Sequence, residues 1–390
     1  MELAERMGRL GTESAFEVLA MARALEAEGR KIIHLEIGEP DFDTPSHIIE
    51  AAQRALRDGM THYCPAPGIP ELRDAAAEFF ARTRDVEVPA DRIVVTPGAK
   101  PIMFHTILAL CAEGDEVVYP DPGFPMYESI AAFAGATPVP VPLREANAFR
   151  VDPDELASLV NDRTRLVILN SPHNPCGSAL TRQDVERLAA VLADRDLYVL
   201  SDEMYWAIRY GGEHVSIAAI DGMADRTIVL DGCSKTFAMT GWRLGFAALP
   251  EPLVEPVTRL IINSVSCTAP FTQHAAVAAL TGPWEPVEEM VREFRTRRDV
   301  IVEGLNRIDG LSCLEPAGAF YVFPNASALG GSGRDLVTFL LEEAGVAGLW
   351  GSAFGPGGEG YLRFSYANSV ENIRAALEAI EAALPGYGGG

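Results

Sequence analysis

The sequence predicts an α/β protein: a large domain on a mostly parallel sheet covered by helices, joined to a smaller α+β domain. Three observations carry this. Between residues 92 and 250, short apolar runs alternate with helical patterns. Those runs are apolar throughout, as expected for parallel strands buried on both faces. After about residue 284 the rhythm changes, and a chain of 390 residues exceeds what one ordinary core spans.

In chain order, residues 12–29 place Phe16, Leu19, Ala20, Ala24 and Ala27 at helical spacing and predict a first helix. KIIHLEIG (31–38) reads as a short strand entering a glycine turn. HIIEAAQRALRDG (47–59) is an amphipathic helix stopped by Gly59, and ELRDAAAEFFARTRD (71–85) is another. The rhythmic region follows. Strands are predicted at RIVVTPG (92–98), DEVVYPDPG (115–123), RLVILNSP (165–172), LYVLSDE (197–203), TIVLDG (227–232) and LGFAALP (244–250). Helices are predicted from Pro101, near Tyr127–Ala134 and near Thr181–Asp194. One long helical pattern then covers 284–308. GAFYVFPN (318–325), DLVTFLLEEAG (335–345), GYLRFSYA (360–367) and a helix over 370–384 complete the smaller unit.

Composition excludes several function classes. The chain holds 32 basic and 55 acidic residues, a net charge of −23, which disfavours nucleic acid and anionic membrane as partners of its general surface. Apolar runs are strand-sized, well short of the ~20 residues a membrane span needs. The start, MELAERMGRL, shows no secretory h-region. Six scattered cysteines without a CxxC suggest reduced thiols and a cytoplasmic protein. No His, Cys or carboxylate cluster has metal-ligand spacing, so no metal is expected.

In open α/β sheets ligands bind outside the carboxyl ends of the strands. Here the strand ends carry Gly98–Lys100 before a helix N-terminus, which suits a phosphate, then Phe124, Asn174, Asp202 with Tyr205, and Ser234 with Lys235. Arg243 precedes the next strand. Singly, each has a bland role: Asn174 a turn residue, Asp202 a helix cap, Phe124 and Tyr205 packing, Lys235 and Arg243 snorkelling cations. Together they fit one cofactor, pyridoxal 5′-phosphate. It needs a lysine amine for a Schiff base and an acid that keeps its ring nitrogen protonated. Its ring needs an aromatic plate, its phenolic oxygen donors, and its phosphate N–H groups and a cation.

The chain also resembles the class I/II aminotransferases, the fold-type I pyridoxal-phosphate enzymes. The motifs are GEPDFDTP (38–45), YCPAPGIPELR (63–73), DPGFPMY (121–127), NSPHNPCG (170–177), SDEMY (201–205), SKTFAMTGWRLG (234–245), GAFYVFP (318–324) and GYLRFSYA (360–367). The resemblance implies a seven-stranded, mostly parallel sheet in a large cofactor-binding domain (46–284). It implies a small domain formed by both chain ends (1–45 and 285–390), and a homodimer with a shared active site. By the same resemblance Lys235 is the Schiff-base lysine and proton shuttle, Asp202 pairs with the ring nitrogen, and Asn174 and Tyr205 bind the ring oxygen. Phe124 stacks on the ring. The backbone of Ala99 and Lys100, with Ser234 and Arg243, holds the phosphate, and Tyr63 reaches it from the other subunit. Arg363 clamps the substrate α-carboxylate as a bidentate fork, assisted by Gly38 and Asn174. The implied reaction is ping-pong amino transfer between an L-amino acid and a 2-oxo acid.

Three positions depart from the family pattern: Cys176 for threonine, Pro101 for a polar residue, and Trp350 for proline. Trp350 is expected near the substrate, where its bulk would reshape the pocket. Lys100 matches a position that binds the distal carboxylate in some aspartate-using members, which favours a dicarboxylic substrate. The same scaffold also runs β-elimination, racemisation and oxygen-dependent oxidation. A cofactor-sensing regulator is the remote alternative, since it needs an added basic DNA-binding domain.

Overall fold

The structure, a computed structural model, describes residues 3–388. Its strands in chain order are β1 (Ile33–His34), β2 (Ile93–Thr96), β3 (Glu116–Asp121), β4 (Thr137–Pro142), β5 (Thr164–Asn170) and β6 (Tyr198–Asp202). They continue with β7 (Thr227–Gly232), β8 (Gly245–Ala248), β9 (Tyr321–Val322), β10 (Val346–Ala347), β11 (Leu349–Trp350) and β12 (Leu362–Ser365). Seven of them form one sheet in the order β2-β8-β7-β6-β5-β3-β4. Every pair in it is parallel except those made by β8, which runs antiparallel to β2 and β7. This is the seven-stranded, mostly parallel sheet that the resemblance implies.

The continuous apolar runs follow from burial on both faces. Val94 of β2 and Ala247 of β8 pack into one apolar cluster, while Ile93, Val95, Phe246 and Ala248 pack into another. Alternate side chains leave opposite faces of a strand, so both faces must be apolar.

One strand of this sheet escapes the periodicity reading. β4 reads TPVPVP, and proline normally argues against a strand. It forms because β4 is an edge strand, paired only with β3. The amides of Thr137 and Leu143 point at β3, donating to the carbonyls of Asp115 (2.9 Å) and Asp121 (2.7 Å). Pro138, Pro140 and Pro142 occupy the alternate positions, whose nitrogens face the open edge. The missing N–H groups cost no ladder bond there, and they leave little for another strand to pair with.

Helices follow their signals. Thr181 caps Arg182–Leu192 with a capping box closed by Asp184. Pro70 begins Pro70–Arg84 at a position where its missing N–H is unneeded. Two helices, Glu251–Ser264 and Pro270–Thr281, fill a stretch to which the sequence reading assigned no element. Of the predicted strand 31–38, only Ile33–His34 pairs, with β10. β11, β12 and β9 form a small antiparallel sheet. Among the described residues, no helix is long and apolar enough to cross a membrane.

Candidate active site

The carboxyl ends of the parallel strands open onto a cavity of about 490 Å³. Its lining includes Gly38, Ala99, Lys100, Phe124, Asn174, Asp202, Tyr205, Ser234, Lys235, Arg243 and Arg363. Eleven of the twelve residues singled out in the sequence therefore meet in one place. The twelfth, Tyr63, is 90% exposed and lies outside this lining.

Asp202 ends β6 on the buried cavity floor. Its Oδ2 accepts the Tyr127 hydroxyl at 2.7 Å and its Oδ1 accepts the Met204 amide at 3.2 Å. Neither partner is cationic. Burial pushes the carboxyl up to about 6, and Tyr127 and Met204 only partly oppose it. The short-range turn bond to Met204 is the bland role, but it leaves this buried acid without a counter-charge.

Lys235 lies in the short helix Cys233–Thr236 that follows β7. Its Nζ donates to the Gly38 carbonyl. Burial is the main reason its amine falls to about 8; Glu39 opposes the fall, and Arg243, Arg363 and Lys100 add to it. Cationic neighbours thus assist, but desolvation does most of it.

Arg243 is held by backbone geometry. It adopts φ +51°, uncommon for a side-chain-bearing residue, and donates Nη1 to the Thr240 carbonyl at 2.9 Å. Gly98 has φ +84°, and a Cβ there would collide with Arg243 Nη2. At Gly245 a Cβ would strike the backbone of Gly98 and Ala99. The two glycines let β8 and the loop before the helix Lys100–Leu110 close on each other, with guanidinium and helix N-terminus side by side.

Arg363, on β12, is only 4% exposed. Its Nη1 donates to Asn174 Oδ1 at 3.4 Å and its Nη2 to the Glu36 carbonyl; its Nε has no partner. Tyr321 and Phe354 flank the guanidinium, with ring centres at 4.6 and 5.0 Å. A buried guanidinium that bonds only neutral acceptors still has an N–H to give to an anion. Asn174 is fixed through its backbone amide, which donates to Asn170 Oδ1 at 3.0 Å. Tyr205 shares a 2.8 Å hydrogen bond with Tyr321, whose hydroxyl fills the space a Cβ at Gly38 would need.

Tyr127, Tyr321, Asn170 and Glu13 are among the lining residues that the sequence does not single out. Tyr127 and Tyr321 lie inside quoted motifs, and Tyr127 falls one helical turn after Phe124, a signal that was available. Asn170 ends β5, and Glu13 comes from a loop remote in sequence. Trp350 is a correction. It does not line the cavity; its ring packs under Arg334, 5.1 Å from the guanidinium carbon, while neighbouring Leu349 lines the site. Strand alternation places Leu349 and Trp350 on opposite faces of β11.

Comparison with known proteins agrees with this geometry. The profile of the family described as aminotransferase class I and II matches residues 30–380. An aromatic-amino-acid aminotransferase of Thermococcus litoralis is 42% identical over 98% of both chains. An aspartate aminotransferase of Pyrococcus abyssi is 44% identical over 92% of this chain and 93% of its own. The crystal structure of the aspartate aminotransferase from Rhizobium meliloti superposes with a TM-score of 0.95 at 37% identity, covering 99% of each chain. The chain belongs to the class I and II aminotransferases. It is an aminotransferase of the pyridoxal-phosphate-dependent, fold-type I kind.

Proposed function

We propose that this cavity binds pyridoxal 5′-phosphate through the residues named above and that the chain moves an amino group between an L-amino acid and a 2-oxo acid. When bound, this cofactor supplies an aldehyde that condenses with amines and a protonated ring that accepts an electron pair from the substrate carbon. The residues present fit it. Asp202 is a buried acid lacking a cation, which a protonated ring nitrogen provides. Lys235 Nζ is the amine for the aldehyde, and Phe124 is the plate for the ring. Asn174 and Tyr205 are donors for the ring oxygen. The amides of Ala99 and Lys100, Ser234 Oγ and Arg243 would hold the phosphate.

The chain's own contributions follow. Arg363, with Gly38 and Asn174, anchors the substrate α-carboxylate and so orients the α-carbon. Lys235 Nζ, with its amine at about 8, is sufficiently neutral near physiological pH to take that carbon's proton and return it. Asp202 keeps its negative charge against burial once a cation faces it. A buried acid bonded to no cation and a lysine amine lining the same cavity are the observation that carries the reading.

The division into 46–284 and the two chain ends, a cytoplasmic location, and a homodimer whose Tyr63 completes the partner's phosphate site belong to the same proposal. Exposure of Tyr63 on the isolated chain supports the last. Substrates are drawn from acidic and aromatic amino acids, since relatives of both names match equally well. A panel of amino donors mixed with the loaded protein tests this: conversion of the cofactor's visible absorbance without ammonia or peroxide release is expected. Release of either product in step with substrate loss contradicts amino transfer.

A further inference from the structure

We infer that Glu13 is a specificity-determining residue, whose carboxylate occupies the cationic subsite that the second carboxylate of an acidic substrate must take. The inference rests on Arg363 being the α-carboxylate anchor.

Glu13 is the residue before the helix Ser14–Ala27, where a side chain commonly caps the helix. It makes no capping bond. Its carboxylate instead pairs with Lys100 Nζ, 87 residues away in sequence. The Glu13 side chain is only 21% exposed. It lines the cavity together with Ala15, Phe16, Ile37, Leu349 and Phe354. Its charge is also felt at Arg363 and Tyr321, deeper in the site. Lys100 Nζ stands 5.4 Å from the centre of the Phe124 ring.

With the α-carboxylate on Arg363, the phosphate on Arg243 and the aldehyde on Lys235, Lys100 is, among the described residues, the lining cation left for a second carboxylate. Glu13 already holds it. An acidic substrate must push Glu13 aside, against like-charge repulsion. An apolar or aromatic substrate leaves the pair closed and rests its side chain on Phe16, Ile37 and Leu349. One site can then serve a neutral and a dicarboxylic partner in turn, as amino exchange between unlike substrates requires.

The test compares two unreactive acids on the cofactor-loaded protein by isothermal titration calorimetry: succinate, a dicarboxylate, and 3-phenylpropanoate, an aromatic monocarboxylate. Glu13→Gln is expected to tighten succinate about tenfold by removing a like charge in a partly screened site, with 3-phenylpropanoate changed less than about twofold. Glu13→Ser, which places a good capping residue at this position, repeats the test in a variant built to keep its fold. An unchanged succinate-to-phenylpropanoate ratio in both variants overturns the role of Glu13. Failure of both acids to bind the parent protein overturns the Arg363 reading instead, and this inference with it.

Discussion

Tyr127 and Asp202 are joined across the buried floor of the cavity, hydroxyl to carboxylate at 2.7 Å. The phenol donates to the charged form of the acid and so opposes the upward push of burial. Tyr127→Phe removes that donor and raises the acid's titration point further. In the cofactor-free protein the Asp202 titration, followed by its infrared carboxyl band, should move up by about one pH unit, the size expected for a lost hydrogen bond to a charged group. An Asp202 titration superposing on the parent's would show that Tyr127 only packs.

Lys235 gives a pH dependence of its own. Its amine is lowered to about 8 in the folded chain, chiefly by burial. Below that pH it is protonated and unreactive; above it the free amine accumulates. In cofactor-free protein, acylation of Lys235 followed by peptide mass spectrometry should rise through about pH 8. A midpoint for Lys235 above 10 contradicts the desolvated site. The sign for stability is also fixed: between about 8 and the unfolded value the unfolded chain binds more protons, so this group adds stability as pH rises.

Arg363→Lys should separate binding from cofactor retention. Lysine keeps the charge and loses the planar fork. KM for the amino acid should rise about 10²-fold, the cost of a charge-assisted pair, while cofactor affinity changes little. Equal losses in both would assign Arg363 to the cofactor instead.

Arg84 tests the support beneath the site. Its buried guanidinium bridges Glu203 (3.0 Å) and Asp231, and lies 4.2 Å from the Trp206 ring centre. Burial works against Glu203, but His214, Arg84 and Ser216 outweigh it and hold the carboxyl near 2. Arg84→Ala strands two buried acids next to Asp202 and should destabilise the fold by about 3–5 kcal/mol, measured by urea unfolding. Glu203's share of stability is complete above its unfolded value and fades as pH falls toward about 2. A variant as stable as the parent would remove this network from the account.

Much of this was legible in the sequence, for physical reasons. Strands buried on both faces must be apolar throughout, and chemistry at their carboxyl ends is local, so Asp202, Lys235 and Asn174 could be found beside TIVL-like runs. β4 was hidden because alternate prolines erase the usual strand signal and are tolerated only at an edge, a fact of topology. The reversed direction of β8 leaves no trace in periodicity either. Glu13 could not be read at all: only the folded chain brings it to Lys100. Trp350 was misplaced by motif position, since the pleat sends it outward and Leu349 inward.

We propose that Lys235 carries the cofactor. The chain has three lysines, Lys31, Lys100 and Lys235, which makes a direct assignment possible. The protein loaded with pyridoxal 5′-phosphate is reduced with borohydride, digested, and its peptides mapped by mass spectrometry. The pyridoxyl mass is expected on Lys235 alone. The same mass on Lys31 or Lys100 with Lys235 unmodified, or none at all, would contradict it.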